Sequence, residues 1–403
     1  MTGATIDHMI SLTILIAALL VAMTSYNQMF ATAFDYDQNR QVATKAVDLM
    51  NTICLSPGNP TNWGRTNSSL LGFGLQDPEA GGYALSPYSI MRLRTSDSFG
   101  DSQLIEYPGT PGVFYNNMSA NYGHGIFTPV CDCVNYTYAA ELLGINGTYG
   151  FNLDITPTLD VRISQVETKP LKLAVEVYGS GLPLSGATLN YHLFHVTAGV
   201  AYPLIVTYSD VEQTGSSGAV EIEFSDVNDI DPSYTFTVYV SIGGVNGVGY
   251  YTHNTIADEG VQYIIPLIQD FNDGTVLIAH NWEVDPSAVT YNATFFILTS
   301  DFQLQPVQIN NSTGLLNFGE GKPFYITEIP DSEVGLLVIS YRKSAVEMGT
   351  VILPWGVGAL GVSVSFGAGS APSGYDFVAT ELRQVTIDGI SYHVKVSTWS
   401  LSD

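Results

Sequence analysis

The sequence predicts an α+β protein, in which a long N-terminal hydrophobic and amphipathic α-helix is followed by a mainly β head that includes a sandwich. Three observations carry that prediction. Residues Ala4 to Ser56 contain neither glycine nor proline, whereas the rest of the 403-residue chain meets one or the other every few positions. Within that stretch, Met9 to Phe34 carries no charged residue. Beyond it, short apolar or alternating runs are separated by Gly, Pro and Asn clusters, the pattern of strands and turns.

The helix comes first, over residues 1–56. Its 53 uninterrupted residues, at about 1.5 Å each, make a rod of roughly 80 Å, longer than packing within one globular domain requires. The run Met9-Ile10-Ser-Leu12-Thr-Ile14-Leu15-Ile16-Ala-Ala-Leu19-Leu20-Val21-Ala-Met23 is apolar on every face. A stretch of that kind over 9–34 suits a bilayer or a bundle of other helices. From 35 to 56 the pattern turns amphipathic, with Val42, Ala46, Leu49, Met50 and Ile53 on one stripe and Asp37, Arg40, Lys45 and Asp48 off it. Ser56-Pro57-Gly58-Asn59-Pro60 ends the helix.

Residues 57–167 read as a first β-rich head domain, closing on an alternating strand from Tyr149 to Ile163. Thr168-Lys169-Pro170 marks the next boundary. From 168 to 253 the strands Leu171–Val177, Ala219–Phe224, Tyr234–Val240 and Val248–Tyr251 are spaced as in an immunoglobulin-like sandwich. Asn246-Gly247 supplies the tight turn of its last hairpin. Residues 254–403 form a C-terminal β region, with strands at Thr275–Trp282, Thr294–Leu298, Gly335–Tyr341 and Thr350–Leu353, and a hairpin turning at Asp388-Gly389. One sequence leaves open whether this region is a separate domain or completes a sheet begun before Pro170.

The chain carries 13 Lys plus Arg against 38 Asp plus Glu, a formal charge of −25. No lysine or arginine lies between Lys172 and Lys322. Such a surface repels phosphate backbones and excludes nucleic acid as a partner. Disorder is excluded too, because 45% of the residues are hydrophobic and 11% aromatic. Three cysteines are too few for a disulfide scaffold. If the compartment is oxidising, a bridge is expected from Cys54, at the end of the helix, to Cys131 or Cys133; the alternative is three buried free thiols.

Asn67, Asn117, Asn135, Asn146, Asn292, Asn310 and Asn311 each begin Asn-x-Ser/Thr, and all follow the helix. They favour a head outside the cell. The N-terminus, Met1 to His8, lacks the basic start of a secretory signal, while Ala31-Thr32-Ala33 resembles a signal-peptidase site. A cleaved leader is therefore the alternative to a retained helix.

A short N-terminal segment, an all-round apolar half-helix with an acid near its start, an amphipathic second half and a β head together resemble archaeal type IV pilin-like surface proteins. Leu55–Gly64, Tyr83–Tyr88 and Leu142–Phe151 are similar to stretches in surface proteins of that layout. The resemblance covers about residues 1–165 and implies a structural subunit of an extracellular filament, at the cell surface, with copies of itself as partners through the N-terminal helix. In that family a basic leader is removed after a glycine, and a glutamate at the fifth mature position pairs with a neighbour's N-terminal amine. This chain departs from that pattern: only Met1 and Thr2 precede Gly3, neither is basic, and the corresponding carboxylate is Asp7, fifth counting from Gly3 but fourth counting from Ala4. The alternative for Asp7 is an acid favoured by the helix dipole. The turn Gly181-Leu-Pro183-Leu-Ser-Gly186-Ala187 resembles immunoglobulin-like repeats of prokaryotic adhesins, which implies contact or adhesion through a surface or glycan ligand. The alternative function is a monomeric, single-pass membrane-anchored protein with a ligand-binding ectodomain.

Catalysis is not expected. Gly-x-Ser-x-Gly and Gly-Lys-Ser/Thr are absent. The glycines at 243, 244, 247 and 249 do not open a helix as a dinucleotide loop would. His192 and His195, three apart in a strand, point to opposite faces and cannot share a metal. The turn of Asp226, Asn228, Asp229 and Asp231, and the pair Asp270 and Asp273, gather oxygen ligands that calcium prefers. Neither has the spacing of a helix-loop-helix calcium site, and solvated turns are the simpler reading. No cofactor is expected.

Overall fold

A computed structural model describes residues 2–66, 68–93, 104–106, 114–116, 128–129, 134–199, 203–255, 264–270, 275–280, 290–299, 301–307, 324–329, 335–342, 346–355, 363–368 and 377–401. The N-terminal helix spans Thr2–Leu55, 54 residues, matching the stretch free of glycine and proline. The chain that follows takes up carbonyls at the C-terminal end of the helix. The Leu75 N–H donates to the Ile53 carbonyl at 2.8 Å and the Gln76 N–H to the Ser56 carbonyl at 3.0 Å, which satisfies groups a helix end leaves open. Gly74 permits that close pass, since a methyl group there would collide with the Ser56 carbonyl. The indole of buried Trp63 donates to the Gly74 carbonyl at 3.0 Å.

The packed end of the helix rests on a four-stranded antiparallel sheet, in the order Val364–Gly367, Tyr149–Pro157, Ile390–Ser400, Ala379–Ile387. Leu49, Met50 and Ile53 join Trp63, Phe73, Phe151, Leu153, Phe366, Val394 and Val396 in one core. Val42 and Ala46 pack on Ala379 one turn earlier. The question left open by the sequence has an answer here. Because Tyr392–Ser400 pairs with the whole of Tyr149–Pro157, the end of the 254–403 region completes the base, and everything between Leu159 and Trp355 is inserted into it.

The sandwich follows the expected class but not the expected limits. One sheet runs Ala219–Phe224, Leu171–Gly179, Leu159–Thr168, and the other Val245–His253, Ser233–Ile242, Thr188–Thr197, Leu204–Gln213. Seven long strands in sheets of three and four give the immunoglobulin-like arrangement. The run expected as one strand from Tyr149 to Ile163 breaks at Thr158, its first part in the base and its second opening the sandwich. The boundary therefore lies near Thr158. Lys169-Pro170 is only the turn between the first two sandwich strands. The last hairpin turns at Gly243-Gly244, with φ of +58° and +82°, rather than at Asn246-Gly247, which lie within the strand. Asp388-Gly389 does form the base hairpin turn, with φ of +45° and +77°.

Leu171, Leu173, Val175 and Val177 face Leu189, Leu193, Phe236, Val238 and Val240 across the sandwich core. Ser233–Ile242 is buried on both faces over most of its length, because a third layer covers it. That layer is the sheet Leu304–Val307, Thr290–Leu298, Gly335–Arg342, Met348–Trp355. Phe194 meets Phe296 with ring centroids 4.9 Å apart, and Tyr239 stacks on Phe302 at 5.2 Å. A further sheet of Phe324–Glu328, Thr275–His280, Ile264–Asp270 and Thr128–Pro129 completes the outer block.

Candidate functional site: a bare apolar helix

The main functional feature is a surface. From Ile6 to Tyr36 every described side chain of the helix is exposed. All ten apolar residues assigned from the sequence to the anchor or filament core, Met9 to Met23, are among them, from 49% exposed at Ile16 to 66% at Met9. Met29, Phe30 and Phe34 continue the surface at 70%, 59% and 73%. None of the most apolar window is buried in the rest of the chain. Taking one such side chain fully out of water is worth about 1.5–3 kcal/mol. Ten of them, half-exposed, place on the order of 10 kcal/mol against leaving the helix bare in water. Met9 to Phe34 extends about 39 Å at 1.5 Å per residue, enough to cross a hydrocarbon core of about 30 Å. The helix is a candidate membrane anchor.

Three threonine hydroxyls on this surface are closed onto the helix itself. The hydroxyls of Thr13, Thr24 and Thr32 donate to the carbonyls of Met9, Leu20 and Gln28 at 2.8, 2.7 and 2.9 Å. A hydroxyl paired within its own helix asks nothing of water, as an apolar environment requires. Asp7 lies in the second turn of the helix, and its side chain lies outside the described residues.

At residue 42 the pattern changes. Val42, Ala46, Leu49, Met50, Ile53 and Cys54 are at most 2% exposed, the stripe expected from the sequence. Cys54 is a free thiol 3.5 Å from the Met50 sulfur, and burial pushes it up to about 12. Cys131 and Cys133, its suggested partners, lie outside the described residues, as do Asn67, Asn117, Asn310 and Asn311. Asn146 is exposed in a turn. Asn135, also exposed, caps the helix Tyr136–Leu142 by accepting from the Thr137 N–H at 2.8 Å. Asn292 is half-buried in mid-strand, opposite Ser340, a poorer site for a sugar.

The acidic turn is tied to histidines. Asp229 meets His195 Nε2 at 2.7 Å, and Asp231 meets His253 Nε2 at 2.7 Å. The Asn228 amide donates to the Ser225 carbonyl at 2.6 Å. Among the described residues no three His, Cys, Asp or Glu side chains converge to hold a metal. His192 points away from His195, its ring bonded to Ser209 Oγ at 2.8 Å and the Phe302 carbonyl at 3.0 Å, and burial lowers its pKa. Asp273 lies outside the described residues.

Two features were missed by sequence reasoning. Asp388, in the base turn, is pushed up to about 8 by burial and secondarily by Asp77, with Arg65 opposing. Gln165, Tyr251 and neighbours line a cleft of about 710 Å³ at the sandwich edge. Both depend on chain segments distant in sequence, which local pattern does not report.

No family model matches the chain, and no curated protein matches it. Among solved structures it is similar to the crystal structure of red sea bream transglutaminase, at 9% identity with a TM-score of 0.16, over 49% of this chain and 31% of that one. The chain thus spans about a third of that protein's length, and a likeness this slight supports no conclusion about fold or activity.

Proposed function

We propose that this chain is a non-catalytic cell-surface protein of pilin-like design, whose N-terminal helix is held first in the membrane and then in a filament of identical subunits. The observation that carries the reading is the helical run from Met9 to Phe34, exposed and uncharged throughout and apolar on every face up to Met23, while the same helix is packed from Val42 onward. A bilayer and a bundle of copies both satisfy an all-round apolar surface, so one helix serves before and after assembly. Asp7, at the edge of the apolar run, is the group for which a neighbour's N-terminal amine is a partner, because a carboxylate there is costly unless paired. The head then faces outward for contact or adhesion, with Asn135 and Asn146 as exposed positions for glycans.

Electron microscopy of sheared cell-surface material tests the reading. Filaments containing the chain are expected, and Asp7→Ala abolishes them while leaving the chain in the membrane fraction. Recovery only as membrane-embedded monomers contradicts assembly. That outcome is the second reading, a single-pass anchored ectodomain, which the internally paired threonine hydroxyls also fit because they need no neighbouring helix.

A further inference from the structure

The cleft at the sandwich edge has a physical origin in its two edge strands, Leu159–Thr168 of one sheet and Val245–His253 of the other. Gly247 and Gly249 let these strands touch. A Cβ at Gly247 would stand 2.8 Å from the Leu159 Cβ, and one at Gly249 would stand 2.6 Å from Val161 Cγ1. Two residues on, the same face carries Tyr251, whose full side chain holds the strands apart. Opposite it, the pairing of the first strand slips between Gln165 and Glu167, a bulge that bends the strand away. The sheets splay between Tyr251 and this bulge, and the cleft opens there.

Its lining combines an apolar wall with unspent donors. Tyr251 is half-buried and tilted on Tyr234 with centroids 6.1 Å apart, and Ile163 lies across from it. The Gln165 amide nitrogen is shut from water and bonded to nothing in the folded chain. Its last torsion is soft, so a small rotation presents the amide to the cleft. Glu167 is shared with Lys172 at 3.8 Å, and Lys169 is exposed at the rim. The surrounding sandwich has acids but no further lysine or arginine after Lys172, which disfavours anions. An occupant therefore needs hydrogen-bond acceptors for the amide, a flat apolar face for the tyrosine ring and no net charge.

The geometry points to a neutral sugar ring as that occupant, its C–H face on Tyr251 and its oxygens accepting from Gln165. This site would deepen the contact role proposed for the head, and it needs no filament. The test is saturation-transfer NMR on the full chain in detergent, unassembled, with maltotriose and N,N′-diacetylchitobiose as probes and an uncharged hexapeptide as the contrasting ligand. Transfer to at least one sugar is expected. Gln165→Leu should weaken binding about five- to tenfold while leaving the melting temperature unchanged or raised, because it removes a buried donor that has no partner. Tyr251→Ala should weaken binding about tenfold, and Tyr251→Phe should stay close to the parent. No transfer to either sugar, binding indifferent to Gln165→Leu, or transfer to the peptide alone overturns the assignment. Loss of filaments in electron microscopy would leave it standing, so the two readings fail separately.

Discussion

The two halves of the N-terminal helix share a backbone and a comparable share of apolar residues, yet one is bare and the other is buried. Between Met9 and Met23 the apolar residues go all the way round, and no residue up to Phe34 is charged. Between Val42 and Cys54 they fall on one stripe, with Arg40, Thr44, Asp48 and Thr52 on the exposed side. A stripe fits one sheet, and the sheet Ala379–Ser400 takes it. An all-round surface fits nothing that the head can offer, because a single domain covers only one side of a rod. The arrangement of apolar residues, more than their number, decides what each half will meet.

Removing one half at a time gives the sharpest break in this contrast. Deletion of residues 2–36 should leave the melting temperature of the head unchanged and free the chain from detergent, whereas deletion of 2–55 should unfold the base, as read by circular dichroism. Single substitutions follow the same divide. Leu49→Ala, at a fully buried position, should cost about 2–5 kcal/mol in denaturant unfolding, while Leu19→Ala should change head stability by less than about 0.5 kcal/mol. A charge reverses the ranking. Leu15→Lys should oppose membrane insertion by about 2.5–3.5 kcal/mol, seen as a shift from vesicle-bound to free chain in flotation, with no effect on the head.

Smaller effects come from the titratable groups of the packed end. The native Asp388 carboxyl holds its proton up to about pH 8, against an ordinary value of 3.8, so between these limits the folded base binds a proton that the unfolded chain has released. Stability from this group is full below about pH 4 and is lost as pH rises toward 8. The difference in melting temperature between Asp388→Asn and the parent should therefore grow in favour of the variant from pH 5 to pH 8. Asparagine also tolerates the positive φ found there. Cys54, with its thiol held up to about 12 by burial, should resist iodoacetamide at pH 8.5 in the folded chain and react once urea unfolds it, as peptide mass mapping would report.

The helix was legible because its signals are local: no glycine or proline, then a change from all-round to striped. The Asp388-Gly389 turn was legible for the same reason. The sandwich class followed from strand spacing, but its limits did not. Lys169-Pro170 looks like a linker and is a hairpin turn inside the sandwich, and the true break at Thr158 carries no glycine to announce it. Gly243-Gly244 and Asn246-Gly247 offer two equally good turns, and the choice is made by the neighbouring strand, where Gly247 and Gly249 are needed for close approach to Leu159 and Val161. The base sheet was beyond local reading, because Tyr149–Pro157 finds its partner in Ile390–Ser400 across the whole insertion. Along the helix the ten apolar residues from Met9 to Met23 are exposed and the stripe from Val42 to Ile53 is packed, both patterns that local sequence carries. The cleft beside Tyr251 could not be read, since it is made by a bulge and by two strands that meet only in three dimensions.

Hydrogen-exchange mass spectrometry on the full chain in lipid vesicles tests the central claim most directly. If the run from Met9 to Phe34 is held in an apolar environment, its amides should stay protected for hours, as slow as those of the buried stripe from Val42 to Cys54. Exchange of Met9 to Phe34 within seconds to minutes, while the stripe remains protected, would mean that the bare half stands in water and would contradict the account.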